Sequence, residues 1–184
     1  MLLGLMVTSA LAGEWTQSAE EHGCTFYLGV RSGDYAPVRA VCQWDIPPEK
    51  LQAILAKSAD HDRYFSSVAA AEQLPSGQFR QIHQASGISN REVIVDMGST
   101  PIDGGVRYWW KKADDQSALT GDNVEVRANA GKWEVTAAPG GGSSVVYELL
   151  YDPGGSVPGF LVRWFQTAGA QDLVRELRDY AASH

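Results

Sequence analysis

The residues able to do chemistry are few and scattered. The four histidines are His22, His61, His83 and His184, and no two of them stand at the helical spacing that a zinc site uses. No Gly-x-Ser-x-Gly elbow and no phosphate loop is present; Gly140-Gly141-Gly142 is flanked by strands and reads as a hairpin loop. Neither a metal nor a cofactor is implied. Glu134 and Glu148 come close across a hairpin, but on the face turned to water, where a solvated pair is the default. Cys24 and Cys42 are the two cysteines. A nucleophilic Cys24 is the weaker reading and a structural disulfide the stronger. Both residues lie in strand-like runs, and a hairpin folded about Gly33 sets Cys24 opposite Cys42, where a cross-strand disulfide can form. In a reducing cytosol the same pair would be two buried thiols.

Composition narrows the function classes. The chain has 184 residues, 44% of them hydrophobic and 20% charged, as in one ordinary globular domain. A net charge of −7 argues against nucleic acid, which needs a basic footprint. It also disfavours simple electrostatic docking on an anionic membrane. Met1 to Ala12 is apolar and ends in Ala10-Leu11-Ala12, the small-x-small pattern of a signal-peptidase site. The run is too short to span a bilayer, which takes about 20 apolar residues. We read residues 1–12 as a cleaved signal peptide and 13–184 as the mature domain, periplasmic or secreted. A frayed helix in a cytoplasmic protein is the alternative.

Elements that must carry these residues follow in order. Glu14 to His22 reads as a short leading helix ended by Gly23, and the Cys24 and Cys42 strands form a hairpin. Pro47-Pro48-Glu49 opens a helix with Leu51, Ile54 and Leu55 on one face. Asp60 to Phe65 is a second short helix or turn. Strand candidates then run over Val68–Leu74, Phe79–Ala85, Glu92–Met97, Val106–Lys112, Val124–Ala128, Lys132–Ala137 and Ser144–Tyr151, with Gly, Pro and Ser punctuating them. Val93, Val95 and Met97 alternate with Glu92 and Asp96, the pattern of an antiparallel sheet with one wet face. A two-residue turn at Ala130-Gly131 would set Arg127 across from Glu134. A loop at Pro139 to Gly142 would align Trp133, Val135, Tyr147 and Leu149 on the inner face. In the run Tyr108-Trp109-Trp110 at least one ring must face away from its neighbours.

The last segment organises the rest. Asp152-Pro153-Gly154-Gly155 is a turn, Ser156 can cap the helix that follows, and Pro158 sits in its first turn. Leu161, Trp164, Phe165 and Ala168 recur at helical spacing, and Leu173, Leu177 and Tyr180 continue the stripe. Burying Phe160, Leu161, Trp164 and Phe165 would contribute roughly 1.5–3 kcal/mol each. The whole is α+β: a curved antiparallel sheet wrapped around a long C-terminal helix.

Taken in order, these pieces resemble the START (StAR-related lipid-transfer) domains of the helix-grip superfamily, which includes polyketide cyclases and aromatases. The resemblance runs from about Trp15 to Tyr180. It rests on Tyr151-Asp152-Pro153-Gly154-Gly155-Ser156-Val157-Pro158-Gly159-Phe160-Leu161-Val162, which is similar to the family's turn and final helix. Val124-Glu125-Val126-Arg127 with Gly131-Lys132-Trp133-Glu134-Val135, Ile46 to Leu51, and Trp15 with Glu21-His22-Gly23 add to it. The resemblance implies a helix-grip domain with a hydrophobic tunnel between sheet and helix; the signal segment, which departs from the cytosolic lipid-transfer proteins, makes this chain read as a bacterial exported member. It implies binding, or transfer, of one lipid or other hydrophobic small molecule without catalysis, and transient contact with a membrane. Phe160, Leu161, Trp164 and Phe165 from the helix and Trp133, Val135, Tyr147 and Leu149 from the sheet would line the tunnel. Tyr108, Arg127 or Tyr147 would anchor a head group. The alternative is a cyclase- or aromatase-like enzyme using the same cavity.

Export has a direct test. Intact-mass analysis of the envelope fraction is expected to find a mature chain beginning at or next to Gly13; a cytosolic protein retaining Met1 would overturn the reading.

Overall fold

The computed structural model describes residues 14–31 and 35–184. The expected signal segment and the Ser32-Gly33-Asp34 turn lie outside the described residues. The chain opens with β1 (Thr16–Glu21) and β2 (Cys24–Leu28), antiparallel neighbours. His22 and Gly23 join them with φ of 55° and 74°, the left-handed pair that a two-residue hairpin turn requires. The leading helix expected over Glu14–His22 is thus a strand. A bulge between Gln17 and Ala19 interrupts its two-residue alternation and hid it from the pattern.

Next comes β3 (Val38–Trp44), which pairs with β2 so that Cys24 faces Cys42. A disulfide joins the two, with their Cα atoms 4.0 Å apart. Helix α1 (Pro48–Leu55) buries Leu51 and Leu55, and after a 3-10 turn at Ser58–Asp60 comes the single turn α2 (His61–Tyr64). The remaining strands are β4 (Val68–Gln73), β5 (Phe79–His83), β6 (Arg91–Ile102), β7 (Gly105–Lys112), β8 (Val124–Glu125), β9 (Ala128–Ala137) and β10 (Ser143–Asp152). Two helices, α3 (Gly159–Gln166) and α4 (Ala168–Ser183), end the chain. Among the described residues the strands make one sheet, in the order β1-β2-β3-β10-β9-β7-β6-β5-β4. All its pairings are antiparallel except that of β8, which lies parallel to β6.

Register decides which side chains face the helices. Tyr147 lies opposite Trp133 and Val145 opposite Val135, so Trp133, Val135 and Tyr147 enter the core as the alternation requires. The expected turn at Ala130-Gly131 does not form; β9 runs straight through it. Gly131 serves close approach instead. A Cβ there would meet the Trp110 ring at 2.3 Å, so the glycine is the floor on which that indole rests. Arg127 is correspondingly not across from Glu134. Its Nη1 donates to Asp152 Oδ2 at 3.1 Å and its backbone N–H to the Asp152 carbonyl at 2.9 Å.

The outer face carries charge. Arg39, Glu148, Lys132, Glu134 and Arg107 form a continuous ladder across β3, β10, β9 and β7, with Arg39–Glu148 at 2.6 Å, Lys132–Glu134 at 3.1 Å and Arg107–Glu134 at 2.7 Å. Glu92 departs from the expected wet face: it is 1% exposed, beneath the loop before β8. There it accepts from the Thr120 N–H and hydroxyl and from the Asn123 amide.

The inner face is closed by α4, whose Ala170, Val174, Leu177 and Ala181 are buried. The C-terminal helix is not continuous. At Thr167 the backbone reaches φ −129°, ψ −95° and the helix breaks, while the Thr167 hydroxyl satisfies the Arg163 carbonyl at 2.8 Å. Ser156 makes no cap; the residue before α3 is Pro158. The turn is held instead by Asp152, whose Oδ1 accepts from the Gly154 N–H at 2.9 Å.

Replacing both cysteines by serine (C24S/C42S) is expected to lower stability by about 3 kcal/mol on the chain-entropy model. Urea denaturation of wild type, reduced wild type and variant measures it; unchanged midpoints would show that the hairpin does not need the bond.

Candidate functional site

Between the sheet and the C-terminal helices lies a cavity of about 120 Å³. The strands β5, β9 and β10 supply Gln81, His83, Trp133, Tyr147, Leu149 and Tyr151, and α3 and α4 close it with Trp164, Phe165, Ala170 and Leu173. Aromatic rings form much of the wall. Trp133 and Tyr147 have centroids 4.2 Å apart, Trp110 stacks on Tyr147 at 6.2 Å, and Trp164 meets Phe165 edge-on at 5.2 Å. The Trp110 indole N–H is satisfied by Asn129 Oδ1 at 2.8 Å.

The helix break shapes this wall. Because the chain turns at Thr167, the Trp164 ring folds back over Gly169, where a Cβ would come within 3.2 Å of it. Trp164 then stands between the cavity and an open groove of about 730 Å³. The two spaces share Ser67, Gln84, Trp164, Gly169 and Leu173. The cavity is smaller than the roughly 300–1,000 Å³ usual for ligand pockets. Aromatic rings fill part of the space, and Trp164 is the largest of the side chains that line both the cavity and the groove.

Of the candidate residues, Trp133, Tyr147, Leu149, Trp164 and Phe165 line the cavity. The others do not. Tyr108 Oη donates to the Gln52 carbonyl at 3.0 Å and ties β7 to α1. The Arg127 side chain is 69% exposed and paired with Asp152, so it anchors the turn after β10. Leu161 is buried but borders the groove, and Phe160, expected to be buried, is 63% exposed on the groove's rim. Phe160 is the second residue of α3, at the free start of the helix.

Sequence reasoning missed the polar residues. His61, Gln81, His83 and Tyr151 all line the cavity and are linked to one another. Tyr151 Oη lies 2.9 Å from His83 Nδ1, His83 Nε2 lies 3.2 Å from Gln81 Oε1, and Gln81 Nε2 lies 3.2 Å from His61 Nδ1. The histidines come from α2 and β5, 22 residues apart by their numbers; the only signal for them was that Gln81 and His83 share a strand face. Both histidines are pushed down to about 4. Burial is the main cause for each. Asp62 and Asp60 partly offset it at His61, and the neighbouring His61 adds to it at His83. Burial also raises the Tyr147 and Tyr151 phenols. The site is therefore neutral near pH 7: it can hold apolar surface and exchange hydrogen bonds. Among the described residues no three His, Cys, Asp or Glu side chains converge as a metal site.

These depressed values fix a pH dependence. The unfolded chain takes up protons at about 6.5, whereas the native histidines resist until about 4. Their stabilisation is complete above 6.5 and is lost as pH falls toward 4, by at most about 3 kcal/mol each. Urea midpoints measured from pH 7 to pH 4.5 are expected to fall, and to fall less steeply in His83→Phe. An equal slope in both would show that His83 titrates normally.

No family model matches the chain. An uncharacterized protein of Pseudomonas aeruginosa is 21% identical over 181 residues, covering 94% of this chain and 89% of that protein. The STAR-related lipid transfer protein of Xanthomonas axonopodis superposes with a TM-score of 0.79 at 18% identity, over 91% of this chain and 98% of that one. Human StAR-related lipid transfer protein 5 gives 0.81 at 14% identity, over 94% and 88%. A START superfamily protein of Mycobacterium smegmatis gives 0.61 at 10%, over 80% and 97%. With this strand order, register and closing helices, the chain has the START-like helix-grip fold.

Proposed function

We propose that the mature domain, residues 13–184, binds one hydrophobic small molecule or lipid in the cavity between sheet and C-terminal helices, without chemical change. The observation that carries this reading is the cavity itself, a space walled by aromatic rings with a few linked polar groups at one side. Such walls are what lipid-sized ligands use for affinity, with the polar groups setting orientation. Two of the superposing proteins are lipid transfer proteins by name, which supports the same reading. The groove past Trp164 supplies the way in, and Phe160 on its rim is placed for transient contact with a membrane. Export agrees with the Cys24–Cys42 disulfide, since such bonds persist in oxidising compartments. Among the described residues no helix is long and apolar enough to cross a membrane.

One observation favours a second reading. His83 and Tyr151 form a hydrogen-bonded pair inside the cavity, the kind of pair with which a cyclase-like enzyme would move a proton. The two readings differ in what leaves the site: a carrier returns its ligand unchanged, an enzyme does not.

Native mass spectrometry of protein purified from its host, followed by organic extraction, is expected to show one hydrophobic molecule per chain, chemically unaltered after incubation. Trp164→Ala is expected to change retention of that molecule about tenfold, a loss or gain of about 1.4 kcal/mol. No extracted ligand, together with no effect of the substitution on uptake of added lipid, would overturn the binding reading.

A further inference from the structure

The polar chain in the cavity constrains what the ligand's polar end can be. Each member is neutral, so every link needs one donor and one acceptor. With the Gln81 amide as it stands, its Oε1 faces His83 Nε2 and its Nε2 faces His61 Nδ1. His83 must then carry its proton on Nε2, which leaves Nδ1 to accept from the Tyr151 hydroxyl. His61 accepts at Nδ1 and so carries its own proton on Nε2. Every donor that makes a link is used within the chain, and the N–H of His61 remains over at one end. Turning the amide over reverses each link and leaves the spare donor on the Tyr151 hydroxyl instead. In both directions one end of the chain keeps a spare donor and the opposite end a lone pair that can accept, while the second N–H of Gln81 is a further donor at its middle.

Charge narrows the choice further. Among the described residues, those lining the cavity include no Lys, Arg, Asp or Glu. The nearest charges lie outside it. Asp60 and Asp62 act on His61, and Arg91, buried near Tyr151, donates from Nη1 to the Ser89 carbonyl while its Nε has no hydrogen-bond partner among the described residues. A phosphate at the His61 end would meet no cation and two carboxylates behind the ring. An ammonium would find aromatic faces but no counter-ion. Burying either ion without a partner is strongly unfavourable, whereas an uncharged oxygen needs only the hydrogen bond on offer.

Resting on the binding reading above, we propose that the ligand is an uncharged amphiphile whose single alcohol or carbonyl oxygen hydrogen-bonds to the His61–Gln81–His83–Tyr151 chain, and that ionic head groups are excluded from this cavity. The alcohol fits best, because a hydroxyl can donate as well as accept. Selectivity then comes from the tautomers that Gln81, 5% exposed, sets through its two links. Tyr151 is a positioning residue in one direction of the chain and a direct contact in the other.

The test compares 1-decanol, decyl phosphate and decyltrimethylammonium, each below its micelle threshold at about pH 7.5, where the histidines are neutral. Quenching of tryptophan fluorescence, checked by native mass spectrometry, reads the binding. Decanol is expected to bind at least about tenfold tighter than either ion, the scale of one buried hydrogen bond set against an unpaired charge. Tyr151→Phe keeps the ring and Gln81→Leu removes the central link; in each the preference is expected to fall below about threefold while decanol still binds. Equal or tighter binding of decyl phosphate overturns the proposal and leaves the binding reading standing, as does a preference that survives both substitutions. If none of the three binds, the cavity is not a ligand site and both readings fall.

Discussion

Everything in this fold depends on one packing contact, that of the C-terminal helices against the concave face of the sheet. A sheet with one charged face and one apolar face cannot stand alone in water, because the apolar face must be covered. Ala170, Val174, Leu177 and Ala181 of α4 do that at spacings of three and four, bringing small and branched side chains against Trp133, Tyr147 and their neighbours. The disulfide pins β2 to β3 at the other end of the same core. Once the cover is in place, the only freedom left is how completely it fills the space beneath it.

Two glycines and one threonine decide that. Gly131 lets the Trp110 ring lie on β9, so the ring stands as wall, while Gly169 gives Trp164 room to fold back. Thr167 breaks the helix and separates a buried, core-forming α4 from an α3 whose rings face the cavity and the groove. The result is a lining of rigid aromatic planes, which do not collapse into a gap as flexible chains would. Polar groups within that lining are tolerable only because they satisfy one another, from Tyr151 through His83 and Gln81 to His61.

The opposite face has a different task. Glu134 and Glu148 belong to an ion-pair ladder running over four strands, and Arg127 with Asp152 holds the turn that launches α3. These charged residues, the most conspicuous in the sequence, orient structure rather than ligand. Among the described residues, the groups that meet the cavity carry no formal charge.

What the sequence determined by itself was local and periodic. Alternation over Val93 to Met97 and over Ser144 to Tyr151 placed strands, the pairing about Gly33 placed Cys24 opposite Cys42, and the spacing of Trp133, Val135, Tyr147 and Leu149 placed them inward. Those patterns are read correctly because side-chain direction in a strand follows from the backbone alone. Where a residue's reason was long-range, the same reading failed. Gly131 looked like a turn because its smallness serves Trp110, a neighbour two strands of sequence away; the β1 bulge masked a strand; Arg127 looked like an anchor until Asp152 claimed it. The polar chain in the cavity was the least legible part. His61 comes from a one-turn helix and His83 from a strand, and only the closure of the sheet brings them within reach of the same glutamine side chain. Tertiary structure alone decided it, because hydrogen-bond partners are chosen by distance in space, and distance in space between remote segments is fixed by packing rather than by any pattern along the chain.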